Sequence, residues 1–117
     1  MGQKKELLWI ASSQKDLLKF PLAVRSAALF ALDLAREGDS HESEKPLKGF
    51  KGTSVRELVL DDRAGTFRVV YIIQVADRIY VLHAFQKKSK KGIKTSKQDI
   101  DLIHQRLQRA LDDAKSR

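Results

Sequence analysis

The 117-residue chain has no cysteine, so neither a disulfide framework nor a thiolate metal site is available and the fold must be held by packing. It lacks the apolar core of a secretion signal, because Leu7-Leu8-Trp9-Ile10-Ala11 is interrupted at once by Ser12-Ser13-Gln14-Lys15-Asp16. No later run approaches the ~20 apolar residues of a membrane span. The expectation is a soluble, cytoplasmic protein with no membrane partner. The signatures of many enzyme classes are also missing: there is no Gly-rich phosphate loop, no zinc-binding HExxH, no GxSxG elbow and no thiol nucleophile. His41, His83 and His104 have no ligand spacing, so no metal and no cofactor is expected. No internal repeat is evident.

The length and the 42% hydrophobic content suit one core and one domain over residues 1–117. The net charge is +8, and residues 85–97 hold six lysines and no acid, leaving only +2 for the rest. A cluster of that kind is the electrostatic footprint of a polyanion, either nucleic acid or an acidic protein segment. The alternative is a solvated loop that aids solubility.

Along the chain, Leu7 to Ala11 suits a short strand, and Ser13 with Asp16 resembles the start of a short helix. Proline disfavours helical geometry in the residue before it, so this helix stops near Phe20-Pro21. Apolar positions at Val24, Ala27, Ala28, Ala31, Leu32 and Ala35 predict a second helix from Leu22 to Glu37, stopped by Gly38. Residues 39–54 are polar and aperiodic and read as a loop. Three β-rich segments, Val55 to Leu60, Thr66 to Ala76 and Ile79 to Gln86, are joined by short polar links and predict an antiparallel meander. Alternation is weak through Val69-Val70-Tyr71-Ile72-Ile73, which predicts a middle strand covered on much of both faces. Thr95 with Gln98 and Ser96 with Asp99 are overlapping cap signals ahead of Ile100, Ile103, Leu107, Ala110, Leu111 and Ala114 at helical spacing. The order β, α, α, three β, α fits an α+β sheet with helices on one side.

What chemistry remains rests on cations on or beside the strands: Arg56, Arg68, His83, Lys87, Lys88, Lys90 and Lys91. Arg68 within Thr-Phe-Arg-Val-Val-Tyr needs a reason, because a cation in an apolar strand is costly unless paired or solvated. Glu57 on the neighbouring strand could pair with it, and a site role is the other explanation. A histidine placed like His83 is more often a satisfied, partly buried residue than a catalyst, and tyrosines placed like Tyr71 and Tyr80 are more often core residues with a wet hydroxyl. Such a set could cleave RNA without metal: a base takes the ribose 2′-proton, cations stabilise the phosphoryl oxygens, and an acid protonates the leaving 5′-oxygen. Arginine's planar fork matches phosphate, lysine suits the backbone contacts or, with its pKa lowered by neighbouring cations, the base, and Tyr71, Phe85 or Tyr80 could stack an unpaired base.

Several segments in order carry a resemblance: Lys45-Pro46-Leu47, Val55-Arg56-Glu57-Leu58, Gly65-Thr66-Phe67-Arg68-Val69-Val70-Tyr71, Leu82-His83-Ala84-Phe85-Gln86-Lys87-Lys88 and Lys94-Thr95-Ser96-Lys97. Together they resemble the HigB-like, phage-related branch of the RelE/ParE toxin superfamily, from about residue 6 to residue 110. The resemblance implies a RelE-like fold, an antiparallel β-sheet with two N-terminal helices and a C-terminal helix. It also implies a type II toxin that cleaves messenger RNA on the ribosome, a helix-turn-helix antitoxin as partner and, through the antitoxin, operator DNA. By position it points to Arg68, Lys87 and Lys88 as catalytic, with His83 beside them. Arg56, Lys90, Lys91, Lys94, Tyr71 and Phe85 complete the candidate RNA-binding set. One departure is Val59, where related sequences commonly carry a second strand arginine; Arg56 compensates only partly, because alternation sends it to the opposite face. Another is the insertion of Lys90-Lys91-Gly92-Ile93. The ParE type inhibits gyrase by protein contact, and a non-catalytic toxin of that kind, or a decayed phage module that only binds nucleic acid, are the alternatives.

Overall fold

Between residues 55 and 86 the β-branched and aromatic residues form three long strands, and the short polar links between them close as tight hairpins. In the computed structural model, residues 4–50, 54–87 and 95–117 are described. The elements are β1 (Glu6–Trp9), α1 (Ser13–Leu17), α2 (Leu22–Arg36), β2 (Glu44–Pro46), β3 (Val55–Asp62), β4 (Gly65–Val75), β5 (Arg78–Gln86) and α3 (Lys97–Ser116). Asp62 pairs with Gly65, which leaves Arg63-Ala64 as the loop between β3 and β4. Between β4 and β5 the loop is Ala76-Asp77, both left-handed at φ 51° and 58°, the geometry of a turn that follows the twist of its strands.

The strand order is β1-β5-β4-β3-β2. The expected meander is present as β3, β4 and β5, and β2 extends it antiparallel. β2 falls where a loop was expected: three residues, one a proline and one a lysine, give no periodic signal, yet they suit an edge strand. β1 joins the far edge parallel to β5, Leu7 beside Ile79 and Trp9 beside Val81, so the sheet is mixed.

The helices cover both faces of the sheet, correcting the one-sided arrangement expected from the sequence. On one face, Leu17, Val24, Ala28 and Leu32 of the α1–α2 hairpin pack on Leu58, Val69, Tyr71, Ile79 and Val81. On the other, Ile103, Leu107 and Ala110 of α3 pack on Val70, Ile72, Tyr80 and Leu82. The reason lies in β4, whose unbroken apolar run presents side chains to both sides and needs cover on each. That double cover is what its weak alternation predicted.

The helix ends follow the cap chemistry. Ser12, not Ser13, precedes α1 and donates to Asp16 Oδ2 at 2.7 Å, while Ser13 is buried and donates to the Val81 carbonyl at 3.1 Å. At the end of α2, Gly38 at φ 86° lets its amide reach the Ala35 carbonyl and the Asp39 amide reach that of Leu34, a glycine-terminated Schellman end. Ser96 caps α3 by accepting from the Asp99 amide at 3.2 Å.

Candidate functional site

The hairpin β4–β5 and the first turn of α3 bring the candidate residues together at one end of the sheet, on the α3 face. Arg68 sits in β4 with Val59 of β3 on one side and Phe85 of β5 on the other. Its Nη1 donates to Glu57 Oε2 at 2.6 Å, and the two side chains are only 4% and 3% exposed. Thr95, just ahead of α3, closes a three-way contact: its Oγ1 accepts from Arg68 at 3.2 Å and donates to Glu57 Oε2 at 3.0 Å. Glu57 and Val59 share this face because they are two residues apart on one strand.

His83 lies two residues before Phe85 on β5, and the rings stack with centroids 4.4 Å apart. Its Nε2 is 2.8 Å from Asp99 Oδ1, and its Nδ1 is 3.4 Å from Arg106 Nη1. An ionised carboxylate only accepts and a guanidinium only donates, so the proton belongs on Nε2 and the ring is neutral. Burial pushes the His83 pKa down from its ordinary value, the Arg106 charge adds to that, and Asp99 opposes it. Arg106 also donates to the Leu82 carbonyl at 2.9 Å and to Ser12 Oγ at 3.2 Å, tying α3 to β5 and to the start of α1. Burial lowers the Arg106 pKa as well.

Lys87 follows β5 immediately, half-buried, with its amide donating to the Thr66 carbonyl at 2.8 Å. The end of β5 is held from the other side by Gln86, whose Nε2 donates to the Ala64 carbonyl at 2.7 Å. Gly65 leaves the room for it, since a Cβ there would stand 2.6 Å from that nitrogen. Lys88, Lys90, Lys91 and Lys94 lie outside the described residues.

The candidate set is therefore split by the sheet. Arg68, His83, Phe85 and Lys87 are gathered at one end of β4 and β5. Arg56 and Tyr71 are on the α2 face, as neighbours in register. Arg56 Nε is 2.6 Å from Glu44 Oε1. Tyr71 is fully buried, so it cannot stack an incoming base as expected. Burial first, then Glu44, raises its hydroxyl pKa well above the ordinary range, with Arg56 opposing. Tyr80 is also fully buried, its hydroxyl donating to Asp113 Oδ2 at 2.6 Å.

Three residues of this cluster escaped sequence reasoning as site residues. Thr95 and Asp99 were accounted for as helix-cap signals, and Arg106 carried no signal of its own in the sequence. Only the docking of α3 on the sheet reveals their second partners. In this arrangement a carboxylate, a guanidinium and an imidazole share one face within reach of the same helix start. Among the described residues no cluster of three or more acidic or histidine side chains could hold a metal ion.

Residues 15–108 match the family described as phage-derived Gp49-like proteins (DUF891). The chain belongs to that family. Among curated proteins none matches by sequence. Among solved structures the Gp49-like chain is similar to an arginine-to-alanine double mutant of the E. coli toxin RelE in the free state. The TM-score is 0.60 at 17% identity, covering 92% of this chain and 98% of that one. The fold is RelE-like, α+β with a mixed sheet. A looser likeness is to the RelBE2 toxin–antitoxin complex from Mycobacterium tuberculosis, with TM-score 0.47 and 24% identity, over 72% of this chain and 99% of that one.

Proposed function

We propose that this Gp49-like protein is the toxin of a type II toxin–antitoxin pair and acts in the cytoplasm as a metal-independent endoribonuclease on messenger RNA in the translating ribosome. The observation that carries the reading is the convergence of Glu57, Arg68 and His83 on one sheet face, beside the start of the segment that holds six lysines. Glu57 is the carboxylate placed to take the 2′-proton, with Arg68 orienting it and offering its guanidinium to the phosphoryl oxygens. His83, once protonated, is the acid for the leaving 5′-oxygen. Lys87, with Lys88, Lys90, Lys91 and Lys94, supplies charge along the RNA backbone, and Phe85, opposite Arg68 in the β4–β5 register, offers a ring for stacking. Substrate must displace Thr95, whose hydroxyl now occupies the space in front of Arg68. The RelE-like fold and the phage-derived family support a toxin role, with a helix-turn-helix antitoxin as partner and, through it, operator DNA.

One observation favours a second reading. Arg68 is neutralised by Glu57 and lies beside Val59 rather than a second arginine, which suits a non-catalytic toxin whose basic segment engages an acidic protein such as gyrase. Inducible expression in a bacterium, with and without the neighbouring reading frame, separates the two. Arrest with new messenger-RNA 5′ ends inside translated codons, absent in Glu57→Gln and relieved by the neighbour, is the expected result. Arrest without cuts would transfer the reading to protein inhibition. No arrest would leave a nucleic-acid-binding phage module.

A further inference from the structure

α2 has the composition of a buried helix and the position of a surface one. Only Arg25, Asp33 and Arg36 among its fifteen residues are charged, and a helix apolar on most of its circumference is normally covered on most of it. Its inner face, with Val24, Ala28 and Leu32, packs on the sheet. The outer face carries Leu22, 68% exposed, and Phe30, 59% exposed, with Leu29 and the small residues Ala23 and Ser26 between them, and Leu18 of α1 extends the patch. A contiguous apolar surface of this kind marks an interaction site.

The charges around it identify the occupant. The chain carries +8, yet residues 13–39 hold four cations and four acids and are neutral. A polyanion or a strongly acidic partner would be drawn to the lysine-rich segment and not to this face. The balance also differs along the hairpin: Lys15, Asp16, Lys19 and Arg25 leave +2 toward the start of α2, and Asp33, Arg36, Glu37 and Asp39 leave −2 toward its end. Such a face is complementary to itself when two copies meet antiparallel.

We infer that α2 is the interface of a two-fold homodimer of this chain. Arg25 of each copy faces Asp33 of the other, whose exposed carboxylate also stands 3.6 Å from Arg36 and 3.7 Å from Lys4 of its own chain, and Leu22, Leu29 and Phe30 fill the seam. The interface is isologous, as a two-fold requires, and Ala23 and Ser26 let the helices approach closely. It lies on the face of the sheet away from Arg68 and His83, so both candidate sites stay outward. The inference is independent of whether the chain cuts RNA.

Sedimentation of the full chain from low-micromolar to about 100 µM tests it. The expected result is a concentration-dependent shift from 13.3 kDa toward twice that mass. Phe30→Glu, at an exposed position, should weaken the dimer by about tenfold or more while leaving the helical circular dichroism unchanged. Arg25→Asp and Asp33→Arg should each be monomeric alone and pair when mixed, since only the mixture restores both ion pairs. A monomer at every concentration overturns the inference. So does a dimer indifferent to Phe30→Glu, or a mixture of the two reversed-charge variants that fails to pair.

Discussion

Removing the Arg68 side chain leaves the Glu57 carboxylate buried without its guanidinium, and an uncompensated buried charge is far more costly than the pair is worth. Arg68→Ala is therefore expected to lower unfolding stability by about 3–5 kcal/mol. Replacing both partners, as Glu57→Leu with Arg68→Met, should cost much less. Urea denaturation of the two variants checks this, and equal losses would mean that the pair is not the reason Arg68 tolerates its strand. The simple alanine variant thus cannot report on catalysis alone, and Glu57→Gln, which keeps an oxygen acceptor for Arg68 but leaves its charge unbalanced, is read for cleavage only beside its own urea denaturation curve. His83 gives a second residue-scale expectation. Its folded pKa lies below its unfolded one, so the unfolded chain binds the proton more tightly. Stability linked to His83 is present above the unfolded value of about 6.5 and is lost as pH falls through the folded value. Thermal midpoints measured from pH 7.5 down to about 5 should drop over that window, and His83→Gln should flatten the drop. If cleavage uses His83 as the acid, activity should rise over the same window in which stability falls.

Two turns decide how the elements meet. Ala76 holds φ 51° in the β4–β5 hairpin, where an L-residue pays about 1–2 kcal/mol relative to a right-handed conformation. Ala76→Gly should raise stability by roughly 1 kcal/mol, read as a higher thermal midpoint. A lower midpoint would show that entropy lost by glycine outweighs the strain relieved. Ser96 accepts from the Asp99 amide and holds the helix start whose Asp99 meets His83. Ser96→Ala should cost about 1 kcal/mol, and it should also shift the His83 titration, observable by NMR. Elements were largely legible in the sequence because each has local causes. The Ser96 cap, the Gly38 stop and the runs of β4 and β5 are written in consecutive residues. The placement of α3 on the second face was not, because nothing local says which side of a sheet a helix chooses once both sides are apolar. β2 escaped for the opposite reason, being held by pairing to β3 and by no pattern of its own. The site was legible in part for the same cause. Strand order brought Arg68, Phe85 and His83 together as the β-rich runs implied, whereas Thr95, Asp99 and Arg106 entered from a helix whose docking the sequence does not encode locally.

At the scale of the molecule, charge and apolar surface are segregated. The hairpin of α1 and α2 is neutral and apolar on its outer side, and the excess charge concentrates in residues 85–97, where β5 leaves the sheet and α3 begins. That junction adjoins Arg68 and His83, so a polyanion drawn to the lysines arrives beside the candidate site and not at α2. If the six lysines make the backbone contacts, binding to single-stranded RNA releases counterions in proportion, and log K should fall against log salt with a slope of about −4. Between about 50 and 200 mM salt that is a loss of roughly two to three decades in affinity. Replacing Lys88, Lys90, Lys91 and Lys94 by glutamine leaves Lys87 and Lys97 in the segment, and the slope should then flatten to about −1.4. Fluorescence anisotropy with a labelled RNA measures both. A slope unchanged by the four substitutions would place the contacts elsewhere on the surface. Arg56, on the opposite face against Glu44, is one such place, and RNA held there would be out of reach of Arg68 and His83 across the sheet.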